Sequence, residues 1–392
     1  MAAGLLVHEV ADLCLGKPPL KSLSVSATIA DALATLKTSD DNYISVWICD
    51  HSNKNSFIAK NGDCICIGKI CMVDIICYLC KEENISSPSL ALNSSVSALL
   101  SKAPSGLVRH VEPSSSIVEV IDLILQGAQN LVVPIKSRII GTSKRKLLQK
   151  SSSTIHNGRE FCWLTQEDVI RFLLNSIGLF SPIPALSIQS LGIISPEFLS
   201  IKYHSRASSA IGAISESLAN QTSLAVVDDD GSLIGEISPS ILACHDETVA
   251  AAITTLSAGD LMAYIDCGGP PEDIIRVVIA RLKERNLQGM LEEFMIDDSS
   301  NIPFNSSSDD EEFPSPTSTL SRSRRYIRSS SYIRKSEAIV CHPGSSLIAV
   351  MIQAIARRVN YVWVIEEDGS VVGIVTFSNI LQVFREHLDS MV

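Results

Sequence analysis

Tyr361-Val-Trp-Val-Ile365, Glu366-Glu-Asp-Gly369, Val371-Val-Gly373 and the continuation Gly373-Ile-Val-Thr376-Phe-Ser-Asn379 decide the fold. An apolar, β-prone run, an acidic turn with glycine and a second short strand make a hairpin signature. Just upstream, Leu347, Val350, Met351 and Ala354 stand at offsets 0, +3, +4 and +7. That spacing puts one apolar stripe on a helix facing a core. A further helix is predicted from Ser378 to His387.

Working outward, the same order recurs three more times. The helical stripes are Ile29, Ala32, Leu33 and Leu36; Ile117, Val120, Ile121 and Ile124; and Ala207, Ala210, Ile211 and Ile214. The strands after them are Tyr43-Ile-Ser-Val-Trp-Ile48, Leu131-Val-Val-Pro134 and Leu224-Ala-Val-Val227. The third unit turns through Asp228-Asp-Asp-Gly231, whereas the first two carry longer polar connections over 51–63 and 136–160. Closing helices are predicted over Val73 to Cys80 and Glu167 to Leu174. Each unit reads strand, helix, strand, strand, helix, an α/β (α+β) pattern. One such unit leaves a sheet face uncovered, so units one and two, and three and four, are expected to pair. The expected bounds are 8–82, 94–178 with a basic loop insertion at 136–160, 187–245, and 246–392. The last is split by an insertion at about 263–336, helical from Glu272 to Arg285 and then Ser- and Pro-rich and disordered over 297–335.

Composition agrees with a folded, non-nucleic-acid-binding chain. Hydrophobic residues make up 46% of 392 and charged residues 19%, enough to fill several cores. A net charge of -11 argues against a dedicated nucleic-acid binder, which shows a basic footprint. Met1 to Val10 lacks a basic region followed by an apolar run, and Val169 to Ile194 is interrupted by Arg171, Pro182 and Pro184, so neither a secretory leader nor a membrane span is expected. Eleven cysteines without secretory context read as reduced thiols, placing the protein in the cytoplasm, with the nucleus as alternative.

The units resemble the CBS-domain family (cystathionine β-synthase domains). Val111-Glu-Pro113-Ser-Ser-Ser-Ile-Val-Glu119-Val120 echoes the family's helix start. Its closing pattern is echoed in Gly68-Lys-Ile-Cys71-Met-Val-Asp74, Cys162-Trp-Leu-Thr165-Gln-Glu-Asp168, Gly235-Glu-Ile-Ser238-Pro-Ser-Ile241 and Gly373-Ile-Val-Thr376-Phe-Ser-Asn379. The resemblance implies four CBS repeats paired into two Bateman modules, with a non-catalytic regulatory role. The layout looks like the plant proteins named only for their CBS domains, and in repeat count like the γ subunit of the AMP-activated kinase.

It also implies an adenine-nucleotide ligand: AMP, ADP, ATP or S-adenosylmethionine, regulatory rather than required. Carried over by motif, Thr165 and Asp168 are the intact hydroxyl and carboxylate pair, and Asp74 keeps its acid while Cys71 replaces the hydroxyl. A carboxylate accepts two ribose hydroxyl bonds, and a helix N-terminus favours phosphate. Thr165-Gln-Glu-Asp168 is equally a capping box, and Asp74 suits a first helical turn, so helix stability alone would place these residues. Ile241 and Asn379 lack the acid, which puts any nucleotide in the first module. Arg171, Arg357 and Arg358 are candidate phosphate partners or simply solvated.

No glycine-rich phosphate loop, metal-ligand His pair or nucleophile elbow is present, so no enzyme is expected. Cys64, Cys66, Cys77 and Cys80 form a four-thiol set whose spacing favours apolar packing over zinc. Ser306, Ser307 and Ser308 precede acids by three residues, and arginines follow from Arg322 to Arg334, which suggests phosphorylation that reorganises a basic arm or else a plain linker. The expected partners are an unidentified protein and a second copy in a homodimer, with neither nucleic acid nor membrane. The alternatives to a nucleotide-sensing adaptor are a ligand-free scaffold and a kinase regulatory subunit.

Overall fold

The computed structural model describes residues 8–39, 41–49, 64–100, 108–135, 155–266, 270–293 and 337–390. Unit one runs β1 (Ser22–Ser24), α1 (Ile29–Thr38), β2 (Tyr43–Ile48), β3 (Ile65–Cys71) and α2 (Met72–Leu79). Thr28 caps α1 reciprocally with Asp31, and all four stripe residues are buried. β1 pairs parallel with β2, and β2 antiparallel with β3, so α1 is the crossover between parallel strands.

Unit two repeats this as β4 (Val108–His110), α3 (Ile117–Leu125), β5 (Asn130–Ile135), β6 (Ile155–His156), β7 (Arg159–Thr165) and α4 (Gln166–Asn175). Here the expected loop over 136–160 needs correcting. Its end is a tight hairpin, β6 against β7, turned by Asn157 at φ 50° and Gly158 at φ 72°. Two consecutive positive φ values are what Asn-Gly accepts at low cost, so the dipeptide was a readable signal.

Unit three holds β8 (Ser200–Lys202), α5 (Ile211–Asn220), β9 (Leu224–Val227), β10 (Leu233–Ile237) and the one-turn α6 (Pro239–Leu242). A 3-10 turn, Ala207–Ala210, opens its helix and changes the phase. Ala207, Ala210 and Ile214 are buried as the stripe requires, while Ile211 is only part-buried. Next come α7 (Val249–Thr255), α8 (Ala258–Ile265) and α9 (Glu272–Glu284). Unit four holds β11 (Val340–Cys341), α10 (Leu347–Arg357), β12 (Tyr361–Ile365), β13 (Val371–Thr376) and α11 (Phe377–Ser390).

Within each pair the sheets face each other. Leu20, Trp47, Cys64, Cys66, Val132 and Phe161 fill the space between the sheets of units one and two. Between units three and four, the buried carboxylate of Glu236 accepts the Tyr361 hydroxyl at 2.9 Å and the Trp363 indole N–H at 2.7 Å. The two pairs then join through helices. α2 packs on α5 and α7, and α11 packs on α3 and α4, giving one helical core shared by units one and three and another by two and four.

Segments outside the strand–helix elements of the units lock this arrangement. Ser257, just before α8, bridges Arg206 at the helix start of unit three, while Ser187, ahead of β8, bridges Ser346 at the helix start of unit four. Each of these connecting stretches therefore ties onto the helix start of another repeat. α9 joins the core of units one and three through Val278, Ile279 and Leu282. Arg281 and Arg285 on and after it donate to the carbonyls of Thr255 and Thr254, orphaned at the end of α7. Ser306, Ser307 and Ser308, with the rest of 297–335, lie outside the described residues.

Candidate functional site

Thr165 ends β7 and is the N-cap of α4. Its backbone N–H and hydroxyl donate to Asp168 Oδ2 at 2.7 and 2.8 Å, and the Asp168 N–H donates back to Thr165 Oγ1 at 3.4 Å. The capping reading of this motif is therefore realised in the geometry. Lys17 adds what the motif could not show. Its ammonium pairs with Asp168 Oδ2 and donates to the Trp163 carbonyl at 2.8 Å. The pair lies on a cleft of about 400 Å³ whose walls include Lys21, Tyr43 and Trp163. No local pattern singles out Lys17; only the docking of the chain before β1 against unit two brings it there.

Asp74 occupies the matching position after β3. Its carboxylate accepts the Cys71 N–H at 2.7 Å, and burial pushes its pKa up to about 6. It borders a different cavity, about 500 Å³ in volume, with walls drawn from all four units. Thr165 borders both cavities, so the two intact acids are brought to separate but adjoining spaces. Lys69 is the central cation. Its ammonium donates to Asn130 Oδ1 at 2.9 Å and sits 3.6 Å from the centre of the Tyr43 ring, and burial draws its pKa down to about 8.

The second module loses its acids as the sequence indicates. Ile241 is buried, and the Asn379 amide oxygen accepts the backbone N–H and hydroxyl of Thr376 as a helix cap. Yet Ser238, Arg358 and Asn360 line the central cavity, so this module contributes polar wall without a carboxylate. Arg358 ends α10 in the left-handed region at φ 55°. Arg171 instead pairs with Glu167 one turn away on an exposed helix face.

The four-thiol set does not assemble. Cys66 donates to the Gly68 carbonyl and Cys80 to the Ala250 carbonyl, and burial pushes both Cys66 and Cys77 up to about 12, the condition of inert packing thiols. Cys64 instead lies beside Cys49 and His156.

Sequence comparison accords with this architecture. The CBS domain family model matches residues 330–386, the end of the split fourth unit. CBS domain-containing protein CBSX5 of Arabidopsis thaliana is 50% identical over 100% of both chains. The chain belongs to the CBS domain-containing proteins. The SNF1-related protein kinase regulatory subunit gamma-like PV42b of Arabidopsis thaliana is 22% identical, covering 98% of this chain and 96% of its own. The crystal structure of protein MJ1225 from Methanocaldococcus jannaschii has a similar fold, with TM-score 0.53 at 14% identity, over 96% of this chain and 100% of that one. The four strand–helix units are thus CBS repeats, paired into two Bateman modules. Among the described residues, no helix is long and apolar enough to cross a membrane.

Proposed function

We propose that this CBS protein is a non-catalytic regulatory adaptor that takes an adenine nucleotide in its first module and relays the bound state to a partner protein. The observation that carries the reading is the cleft at Asp168. One wall offers a carboxylate at a helix start, suited to ribose hydroxyls, and Lys17 and Lys21 offer positive charge for phosphate. Tyr43 and Trp163 supply aromatic surface for a base. On binding, Lys17 exchanges part of its bond to Asp168 for the ligand phosphate. Asp74 and Lys69 form the second polar pair, on a cavity of a size that accepts small molecules. A ligand shared between packed repeats favours one relative orientation of them, and a partner that prefers that orientation reads the ligand.

The test is thermal unfolding of the full chain with millimolar AMP, ADP, ATP or S-adenosylmethionine, beside Asp168→Ala and Lys69→Met. A ligand at roughly 100 times its dissociation constant adds about 2.7 kcal/mol. A shift lost in Asp168→Ala supports the cleft, and one lost only in Lys69→Met moves the ligand to the central cavity. No shift with any of the four leaves a ligand-free scaffold. The kinase-subunit reading draws support from the full-length similarity to PV42b, and co-purification of a protein kinase with the tagged chain would favour it.

A further inference from the structure

Cys49 and Cys64 stand opposite each other where the strands of unit one's hairpin end. β2 and β3 pair with Ile48 against Ile65, and these cysteines are the next residues out on each strand. His156 reaches them from the Asn-Gly hairpin of unit two. Its Nδ1 lies 3.3 Å from Cys49 Sγ, and one ligand atom of each of the three residues lies within 4.8 Å of the others.

Two contacts hold the imidazole in place. Its ring stacks on Trp47 with centroids 3.8 Å apart and planes 4° from parallel. The next residue, Asn157, accepts the Cys64 N–H on its side-chain oxygen at 3.1 Å, which fixes the hairpin of unit two to the strand of unit one. Cys64 and His156 are buried, while Cys49 is part-exposed and leaves a way in from solvent.

We propose that Cys49, Cys64 and His156 form a zinc-binding site that clamps the two repeats of the first module together. Zinc takes thiolate sulfur at about 2.3 Å and imidazole nitrogen at about 2.0–2.1 Å in tetrahedral geometry. Ligand atoms around such an ion stand roughly 3.3–3.8 Å apart by that geometry, so the cluster needs only small side-chain rotations. Binding converts two thiols to thiolates and releases two protons, and the imidazole binds as the neutral base. Three protein ligands leave a fourth position for solvent. The site joins two repeats, so metal binding stabilises their sheet-to-sheet packing and every contact that depends on it.

The reduced full chain, stripped with chelator, is titrated with Zn²⁺ and separately with Co²⁺. The expected result is one ion per chain, the thiolate-to-cobalt absorption and visible bands of tetrahedral coordination, and a rise in melting temperature with Zn²⁺. Cys49→Ser and Cys64→Ser should each weaken Zn²⁺ binding by more than about tenfold and remove the cobalt bands. His156→Phe keeps a ring over Trp47 while deleting the ligand nitrogen, and it should do the same without unfolding the chain. Cys244→Ser, at an exposed cysteine elsewhere, should bind like the parent. Cobalt bands that survive in Cys64→Ser, or the absence of both bands and zinc stabilisation in the parent, would overturn the proposal. So would recovery of Cys49 and Cys64 as a disulfide in chain purified under reducing conditions.

Discussion

Lys17 and Asp168, 151 residues apart, form an ion pair that ties the chain before the first repeat to the closing helix of the second. Both side chains are about one-fifth exposed, at 21% and 23%, so solvent screens the pair only partly. Lys17→Met and Asp168→Asn should each cost about 1–2 kcal/mol by urea unfolding, since either leaves one charge without its partner. Asp168→Asn keeps an oxygen to accept the Thr165 N–H, whereas Asp168→Ala loses that half of the capping box too and should cost about 1 kcal/mol more. Equal losses for Asn and Ala would mean that the bond from the Thr165 N–H contributes nothing.

Gly373 has no room for a side chain. A Cβ there would stand 2.3 Å from the Ser195 carbonyl oxygen, at the bridge where Ser195 and Ile374 exchange backbone bonds. Gly373→Ala must push the linker off β13 and should cost about 2–3 kcal/mol. Gly212, within α5, has nothing within 4 Å of its would-be Cβ, and Gly212→Ala should be neutral or stabilise by up to about 1 kcal/mol. Paired melting curves of the two variants check the contrast.

The buried Glu236 depends on donors from the other repeat. Trp363→Phe removes its 2.7 Å indole bond and should destabilise by about 2–3 kcal/mol, because a desolvated carboxylate loses a partner. Adding Glu236→Gln to Trp363→Phe should recover part of that loss, since the neutral amide is less costly to leave under-bonded. A double-mutant cycle measured in urea tests this, and simple additivity would rule out the coupling.

Asp74 gives the fold a distinct acid limb. Burial raises its folded pKa to about 6, against about 3.9 for an unperturbed aspartate. The folded state then holds this proton more tightly than the unfolded chain between roughly pH 4 and pH 6. The group therefore destabilises the fold above pH 6, and that penalty fades as pH falls toward 4. Asp74→Asn should lack this response, so its stability relative to the parent should decline on acidification through the window. The change should stay below about 2 kcal/mol, because the side chain is part-exposed. A difference that is flat from pH 4 to 6 would refute it.

The repeats were legible because each is specified locally. Helical spacing in Leu347, Val350, Met351 and Ala354, and the acidic turn at Glu366 to Gly369, state secondary structure and facing without reference to the rest of the chain. The capping function of Thr165 and Asp168 was legible for the same reason, since both partners lie within one turn. At Asn157-Gly158 the structure has a hairpin in place of the expected loop, because both residues accept a positive φ. At Ile211 the 3-10 turn shifted a phase that spacing alone assumes constant.

By itself, then, the sequence determined four strand–helix units and the positions of two intact acids. These depend on periods of two and 3.6 residues and on caps that act over a few positions. Only the tertiary structure decided that Lys17 meets Asp168, that Lys69 sits among side chains of the first two repeats, and that Cys49, Cys64 and His156 converge. Each of these contacts joins segments far apart in the chain. The packing of sheet on sheet and helix on helix chooses which distant side chains meet, and no local spacing encodes that choice.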